Sequence, residues 1–243
     1  SDESAQILGS SGVFTKIKPW LGRHSIAVCN ADTVSMPSWK KMLEFHREKN
    51  ALMTMHVRAF KGDDQYTNIE LNTEQLVTAL GGKANAGIMF SGSYIIDPKV
   101  LETIPSGVSE LKQTVLDPLI QQKKLYAFQE NIGMIDTGTI ASYSRAQFDL
   151  LKKFPRFREL VESRMKEVAP QVWVSKKSDA QGLKLIGPAV ICGDLKKWSK
   201  ISNQFGPYFI GVEPPANVEK LNAAFRTSQA LVTSVHIEYL DQF

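Results

Sequence analysis

Two aspartates follow apolar segments at places where a carboxylate can bind a metal ion. Asp32 comes just after the apolar run 24–30, typical of a buried strand, and Asp136 follows the apolar run 132–135. In open α/β sheets, ligands bind beyond the carboxyl ends of the strands. Mg²⁺ needs few carboxylates there, because substrate phosphates complete its octahedron. A capping or turn role is the first explanation of each aspartate taken alone, so spacing leaves the metal site open.

A run of small residues near the start is a second candidate. It is a G-S-S-G segment made of Gly9, Ser10, Ser11 and Gly12. In a loop, such residues let a backbone approach a base or a phosphate closely, although a flexible tail would have the same composition. The chain has no Walker sequence, no G-x-G-x-x-G, no zinc-spaced Cys/His cluster and no G-x-S-x-G elbow.

A third group of small residues interrupts an apolar strand. Ser91, Gly92 and Ser93 lie in the middle of the run 88–96. Small residues inside such a strand predict a bulge or a close approach to the backbone. The histidines are isolated in sequence, and core or surface roles outweigh catalysis for each of them: His24, His46, His56 and His236.

The elements that would position these residues alternate between strand and helix. After the strand 24–30, a helix is expected from about Ser35, with Pro37 in its first turn and an apolar face that includes Met42 and His46. A second strand spans 51–60, where Met53, Met55 and Val57 alternate with polar neighbours. This βαβ order implies a parallel or mixed sheet covered by helices. The remaining predictions before residue 155 are short strands at 66–71, 75–80, 125–129 and 132–135, a helix over 109–123 kinked at Pro118, and a helix from Thr139.

The composition changes after about residue 155. We expect an amphipathic helix over 157–168, a strand at 172–174, a polar linker over 175–181 and a β-rich region from 183 onwards. Apolar–Gly pairs at 186–187, 192–193 and 210–211 fit a six-residue frame, which is typical of hexapeptide β-helices. Irregular hairpins are the alternative, because the frame breaks between these pairs.

Composition places the chain among ordinary globular proteins. Of 243 residues, 43% are hydrophobic and 22% charged, which argues against disorder, and a net charge of +4 demands neither nucleic acid nor membrane as a partner. Cys29 and Cys192 lie in apolar runs, so we expect buried thiols in a reducing compartment. No apolar run approaches a membrane span and no signal peptide is evident, so a soluble, cytoplasmic protein is expected.

Several of these segments together resemble the sugar-nucleotide pyrophosphorylases, a family of nucleotidyltransferases. Segment 8–12 resembles the family's G-T-A-G-G, 26–33 its strand ending N-G-D-T, 45–51 its F-H-R-E-K-G-A, 89–92 its M-F-T-G and 133–139 its G-Y-W-x-D-I-G-T. The order of these blocks is that of the family, over more than half of the chain. Guanylyl- and uridylyltransferases look most similar.

The resemblance implies a Rossmann-like α/β domain with a mixed sheet over 1–155, a helix and linker over 156–182, and a β-rich region over 183–243, where a degenerate left-handed β-helix would be typical of the family. It implies an enzyme that joins a nucleoside triphosphate to a sugar 1-phosphate and releases pyrophosphate. The implied metal ligands for Mg²⁺ are Asp32 and Asp136. The implied nucleotide-binding residues are Gly9, Ser10, Ser11, Gly12, Asn30 and Ala31, and the implied sugar-binding residues are Ser91, Gly92 and Lys83.

Departures from the family pattern limit what this chain is expected to do. Nothing in it resembles the G-x-G-T-R-L loop that cradles the triphosphate, the E-K-P lysine is not recognisable, and Met134 replaces an aromatic residue. No catalytic residue is identifiable, and we expect the chain to be inactive alone, with an N-terminal portion supplied elsewhere as a fragment or subunit. The alternative is a catalytically inactive binding or regulatory subunit. The base, the sugar and homo-oligomerisation stay open.

Overall fold

The computed structural model describes residues 2–153, 155–176, 184–187, 189–192, 204–205, 209–211, 230–232 and 237–239. The helices are α1 Gly9–Leu21, α2 Trp39–Glu48, α3 Pro98–Leu101, α4 Asp117–Gln121, α5 Ile140–Lys153 and α6 Pro155–Arg164, with a π-helical segment at Lys112–Leu116. The strands of the first half are β1 Ile26–Cys29, β2 Thr33–Ser35, β3 Met53–Leu71, β4 Val77–Ile96, β5 Leu125–Gln129 and β6 Met134–Asp136. The later strands are β7 Met165–Ala169, β8 Val172–Ser175, β9 Lys184–Leu185, β10 Ala189–Ile191, β11 Gln204–Phe205, β12 Phe209–Gly211, β13 Ala230–Val232 and β14 Ile237–Tyr239.

The chain divides into two compact units, 1–134 and 135–243. The first unit is built around a sheet in the order β1-β4-β3-β5. β4 runs antiparallel to both β1 and β3, whereas β3 and β5 are parallel. The carboxyl ends of β1 and β5 therefore lie at one edge of the sheet, which confirms the predicted mixed α/β architecture.

The longest strands form one hairpin that the sequence analysis had divided. β3 and β4 pair from Met53↔Ile96 to Leu71↔Val77. The segments 66–71 and 75–80, expected as short strands of their own, are the far ends of this hairpin. Gly81-Gly82 lies inside β4 and does not end it, because an antiparallel ladder tolerates glycine at a cost in stability.

The core of the first unit lies on the face of the sheet that carries Met53, Val57 and Leu125, which are fully buried. Phe14 of α1 and Val115 of the π-helical segment pack into the same cluster. Burial of each large apolar side chain contributes about 1.5–3 kcal/mol relative to leaving it in water. This apolar cluster therefore stabilises the sheet and holds the ends of its strands in place.

The helices differ from their predictions at the ends. α2 begins at Trp39, so Pro37 precedes the N-cap residue Ser38 instead of lying in the first turn. Ser35, from which the helix is expected, is the last residue of β2. The helix expected over 109–123 is a π-helical segment followed by α4, with Pro118 in the first turn of α4. Proline lacks the N–H of a regular helix, so a break ahead of it leaves no lost hydrogen bond.

In the second unit, Thr139 caps α5 as expected: its Oγ1 accepts from the Ser142 N–H at 3.0 Å. The helix predicted over 157–168 is wrong at its carboxyl end, where α6 stops at Arg164 and Met165–Ala169 pairs antiparallel with β8. In this pairing, Ala169 is level with Val172, Glu167 with Trp173 and Met165 with Ser175. The sheet ladder overrides a weak helical period here.

Most later strands of the second unit are parallel to one another. Val172 of β8 is level with Ala189 of β10, Ala189 with Phe209 of β12, and Phe209 with Ala230 of β13. β9 and β11 form a second parallel pair. Successive parallel strands from one chain require crossover connections, so hairpins do not explain the pairing of β8, β10, β12 and β13. The last two strands, β13 and β14, pair antiparallel instead. The six-residue repeat itself stays a prediction.

Two further expectations meet the structure. Cys29 is exposed, contrary to the prediction of a buried thiol, because β1 is an edge strand whose residues are alternately half-buried and exposed. Cys192 is half-buried, and burial raises the pKa of its thiol. Across the part of the chain that the structure describes, no helix is long and apolar enough to cross a membrane.

Candidate functional site

The carboxyl ends of β1 and β5 bring several polar residues of the first unit to one edge of the sheet. Asn30 and Asp32 follow β1 and are exposed, and Glu130 follows β5. Beside β1 lies the segment Ser91–Ser93 of β4, since Cys29 is level with Ser93. Sequence reasoning predicted the first two and Ser91, but it did not single out Glu130.

The small residues of β4 form the predicted bulge. Met55 is level with Tyr94 and Val57 with Phe90, so His56 alone faces three residues of β4. Gly92 has φ +80°, a left-handed conformation that favours glycine. Its carbonyl accepts a hydrogen bond from the Asn30 N–H at 2.8 Å. The bulge thus contacts Asn30, the residue that follows β1.

His56 and Glu130 extend the group of polar residues from the bulge towards α2. His56 is fully buried, with Nδ1 2.5 Å from the Ser91 hydroxyl and Nε2 3.6 Å from Glu130 Oε2. Ser38, the N-cap residue of α2, donates to Glu130 through its N–H at 2.9 Å and its hydroxyl at 2.7 Å. A polar chain therefore runs from the bulge to the start of α2.

The protonation of this chain follows from burial and hydrogen bonding. Burial lowers the pKa of His56, and the Glu130 carboxylate opposes that effect only in part. Partial burial raises the pKa of Glu130, but the hydrogen bonds from Ser38, with His56 and Lys41, outweigh it and hold that pKa below its usual value. A neutral imidazole beside an ionised carboxylate is the expected state near neutral pH.

Sequence reasoning missed this pair because His56 seemed isolated. The strand 51–60 was expected to present Met53, Met55 and Val57 to the core and its other residues to water. Thr54 and His56 are nevertheless buried as well, because β3 is covered on both faces. The available signal was position: Glu130 follows a strand at the same sheet edge as Asp32, and an acidic residue there could have been flagged for the same reason.

The segment Gly9–Gly12 is the first turn of α1 and not a loop, which corrects the sequence prediction. The Ser109 carbonyl accepts from the backbone N–H groups of Ser11 and Gly12 at 3.1 and 3.3 Å. The Ser11 hydroxyl donates to Ser109 Oγ at 2.9 Å, and the Ser10 hydroxyl donates to Glu110 at 2.6 Å.

This packing explains the small residues without a ligand. A Cβ added to Gly12 would lie 2.3 Å from the Gly107 carbonyl oxygen, so no larger residue fits there. The segment packs on 107–110 and not on the bulge. A contact of these residues with a nucleotide base stays a prediction.

The remaining predicted residues are placed separately. Asp136 ends β6 in the second unit, where it is exposed and its Oδ1 accepts from the Gly138 N–H at 2.8 Å. Ala31 is exposed beside Asp32. The Lys83 backbone lies in β4 opposite Thr67, but its side chain is outside what the structure describes, and His236 lies outside the described residues. Within the described ranges, no group of three or more His, Cys, Asp or Glu is placed to hold a metal ion.

The fold is that of a mixed α/β domain with polar residues at the carboxyl ends of two strands, and comparison with known proteins gives the family. The nucleotidyl transferase family model matches residues 3–153. The chain belongs to the nucleotidyl transferase family.

A curated relative agrees with this assignment. Over 147 residues, the chain is 26% identical to D-glycero-alpha-D-manno-heptose 1-phosphate guanylyltransferase from Aneurinibacillus thermoaerophilus, with 59% of this chain and 63% of that protein covered. The chain thus spans less than two thirds of the relative's length.

Solved structures extend the comparison. A protein from Bacillus anthracis assigned as a glucose-1-phosphate thymidylyltransferase, crystallised with a sucrose, aligns with a TM-score of 0.50 at 15% identity, covering 60% of this chain and 61% of that one. HddC from Yersinia pseudotuberculosis, also solved with GMP-PN, aligns at 0.49 and 21% identity, covering 58% and 62%. The first of these likenesses supports the fold alone.

Proposed function

We propose that this chain is part of an enzyme that forms a nucleotide sugar from a nucleoside triphosphate and a sugar 1-phosphate, with release of pyrophosphate. The observation that carries the proposal is the family match over 3–153, within which Asp32 follows β1 beside the bulge of β4. Because the chain spans 63% of its curated relative, the activity of a whole enzyme is inferred and not read from this chain.

Guanine nucleotides and manno-configured sugar phosphates are the first substrates to test. The support is the curated relative, a guanylyltransferase that acts on D-glycero-alpha-D-manno-heptose 1-phosphate. GTP with mannose 1-phosphate, and GDP-mannose as the product analogue, are accessible probes of that chemistry. A different base or sugar would leave the reaction class unchanged.

Asp32 and Asp136 are the residues we assign to Mg²⁺. The donor set suits the ion, since both are exposed carboxylates and Mg²⁺ accepts one or two carboxylates alongside phosphate oxygens. When bound, the ion would neutralise charge on the transferring phosphoryl group.

The rest of the cluster would orient the substrates. The Ser91–Gly92 bulge is assigned to the sugar, and Asn30, whose N–H donates to the bulge, is assigned to the nucleotide. Residues Gly9–Gly12, Ala31 and Lys83 keep their predicted roles in nucleotide and sugar binding. The sugar 1-phosphate oxygen would attack the α-phosphorus in line, and positioning is most of what a protein contributes to such a step.

Catalysis needs a segment that binds the triphosphate, and nothing in these 243 residues resembles that segment of the family. We therefore infer that a further polypeptide segment, covalently attached or separate, completes the site. The second candidate function is a non-catalytic binding subunit, favoured by the missing G-x-G-T-R-L and E-K-P patterns and by Met134 in place of an aromatic residue. A cytoplasmic location and homo-oligomerisation remain predictions.

The test is ligand binding followed by turnover. Isothermal titration with GDP-mannose and Mg²⁺ should give saturable binding that Asp32→Ala abolishes, whereas Glu44→Ala, an exposed charge change on α2, should leave it intact. Pyrophosphate release from GTP and mannose 1-phosphate should appear only when the completing segment is present. Unchanged binding in Asp32→Ala would remove the metal assignment, and binding without any turnover in the completed protein would favour the non-catalytic candidate.

A further inference from the structure

The β4 bulge is held from one side by a histidine to which no predicted role was given. Between the level pairs Met55↔Tyr94 and Val57↔Phe90, β3 has one residue, His56, and β4 has three. Bulges bend a strand and re-aim side chains, and they concentrate next to active sites. Two extra residues need something to fix their conformation, because they are outside the regular ladder.

The His56 ring meets that need through one hydrogen bond of defined direction. An ionised carboxylate only accepts hydrogen bonds, so the proton of the neutral imidazole belongs on Nε2, which faces Glu130. Nδ1 then carries a lone pair, and the Ser91 hydroxyl donates to it at 2.5 Å. Ser38 holds Glu130 in place with two hydrogen bonds. Turning the ring would therefore break the Ser91 hydrogen bond and move Nε2 away from the carboxylate 3.6 Å from it.

The other side of the bulge touches the residue that follows β1. Gly92 accepts from the Asn30 N–H, and a Cβ at Gly92 would lie 3.3 Å from three atoms of the Asn30 side chain. Ser91 therefore fixes the bulge on the side of His56, and Gly92 contacts Asn30 on the side of β1. Asn30 precedes Asp32 by two residues, so a shift of the bulge moves the start of the loop that carries the aspartate.

We propose that His56 is a positioning residue that fixes the Ser91–Gly92 bulge at the sugar side of the site and, through the bulge, the conformation of Asn30. The sugar as ligand rests on the proposed function, whereas the effect of His56 on the bulge does not. His56 does not touch the substrate, and its contribution passes through Ser91.

His46 provides a matched control. It is also buried, and its Nδ1 lies 2.9 Å from the Thr54 hydroxyl. Thr54 is level with Ile95 in a regular part of the same ladder. Loss of the His46 hydrogen bond should therefore cost stability without changing the bulge.

The first experiment needs no ligand and reads amide NMR signals. His56→Phe keeps a ring but removes both nitrogens, and it should shift the signals of Asn30 and 91–93. His56→Asn restores an acceptor near the Nδ1 position and should return those signals towards wild type. His46→Asn should leave them unchanged. Unshifted bulge signals in His56→Phe would overturn the proposal.

Two further readouts keep the test decisive if His56→Phe does not fold. Ser91→Ala removes the hydroxyl from the opposite side and should shift the Asn30 signal in the same way. Nitrogen-15 shifts of the wild-type ring should show the proton on Nε2. A ring protonated on Nδ1, or a Ser91→Ala spectrum with Asn30 unmoved, contradicts the proposal.

The second experiment separates positioning from general damage. His56→Phe should weaken the binding of GDP-mannose about 10-fold, the scale of one buried hydrogen bond, and weaken the binding of GDP less. Equal weakening of both ligands would overturn the positioning role. If the wild-type protein binds neither ligand, the proposed function fails instead, and the amide signals still decide the role of His56.

Discussion

Each end of the four-stranded sheet has a buried histidine beside a hydroxyl group, but the backbone next to the pair is regular at one end and irregular at the other. At the amino end of β3, His46 meets the Thr54 hydroxyl beside a ladder that stays in register, Met53↔Ile96 and Thr54↔Ile95. Next to the carboxyl ends of β1 and β5, His56 meets the Ser91 hydroxyl where the register shifts. A buried histidine–hydroxyl pair is thus not by itself a functional signal; the irregular backbone beside it is.

The position of a cavity favours the other end of the sheet as a ligand site. A cavity of about 400 Å³ opens near the amino end of β1, lined by Lys18, Arg23, Asp97, Lys99 and Glu102 among others. It lies at the opposite end of β1 from Asn30 and Asp32. We give more weight to the carboxyl end, because the strand ends, the bulge and the family match all concern it.

The largest expected effect is at the regular end. Met53 is fully buried in the core, so Met53→Ala should lower the free energy of unfolding by about 2–5 kcal/mol through lost burial and a cavity. Met36→Ala, at an exposed residue, should change it by less than about 0.5 kcal/mol. Urea unfolding measures both.

For the comparison of the two ends, the bulge signals in Met53→Ala matter as much as stability. We expect the amide signals of 91–93 to stay in place, since the regular end serves the core. A rearranged bulge would show that the two ends are one cooperative unit.

The second prediction concerns the left-handed glycine of the bulge. Gly92→Ala should cost about 1–3 kcal/mol, because the new Cβ forces a strained φ and presses on Asn30. Gly107→Ala is the control: Gly107 has φ +95°, but its added Cβ would meet nothing within 4 Å. Chemical unfolding should show a larger loss for Gly92→Ala, and equal losses would mean that the Asn30 contact contributes nothing.

Much of the regular end could be predicted from the sequence, because apolar periodicity reports burial. The alternation of Met53, Met55 and Val57 located β3, and the face of Met42 and His46 located α2. The small residues at 91–93 also predicted a bulge correctly. Each of these signals is local, so a short window of sequence contains it.

The failures concern contacts distant in sequence. The helical start at Gly9 depends on Ser109, whose carbonyl caps the first turn across about a hundred residues of chain. The burial of His56 depends on both faces of β3 being covered, and its partner Glu130 lies on another strand. No spacing rule connects such residues, because tertiary packing overrides local preference.

The third prediction tests the link between Glu130 and α2. Ser38→Ala removes the 2.7 Å hydroxyl bond to Glu130 and should cost about 0.5–1.5 kcal/mol. The pKa of Glu130 should rise, because a hydrogen bond to its charged form is lost. Carbon-13 NMR titration of the carboxyl measures it. Ser35→Ala, whose hydroxyl meets Ser93 instead, should leave that pKa unchanged.

The smallest expected effect is the pH dependence shared by the two ends. Burial lowers the pKa of His46 and of His56, so each binds its proton less readily in the folded protein than in the unfolded chain. Their contribution to stability is therefore complete above the unfolded pKa of about 6.5 and is lost as the pH falls below it towards the lowered folded values.

Between pH 7 and pH 6, each histidine should account for less than about 1 kcal/mol. Urea unfolding at both pH values should show wild type losing more stability than His46→Asn or His56→Asn, since asparagine does not titrate there. Carboxylates such as Glu130, whose pKa is lowered, act only at more acidic pH and do not obscure this window. If only His46→Asn reduced the loss, the pKa of His56 would not be lowered in the folded protein, because the Glu130 carboxylate would offset the effect of burial. If neither did, another group would carry the pH dependence.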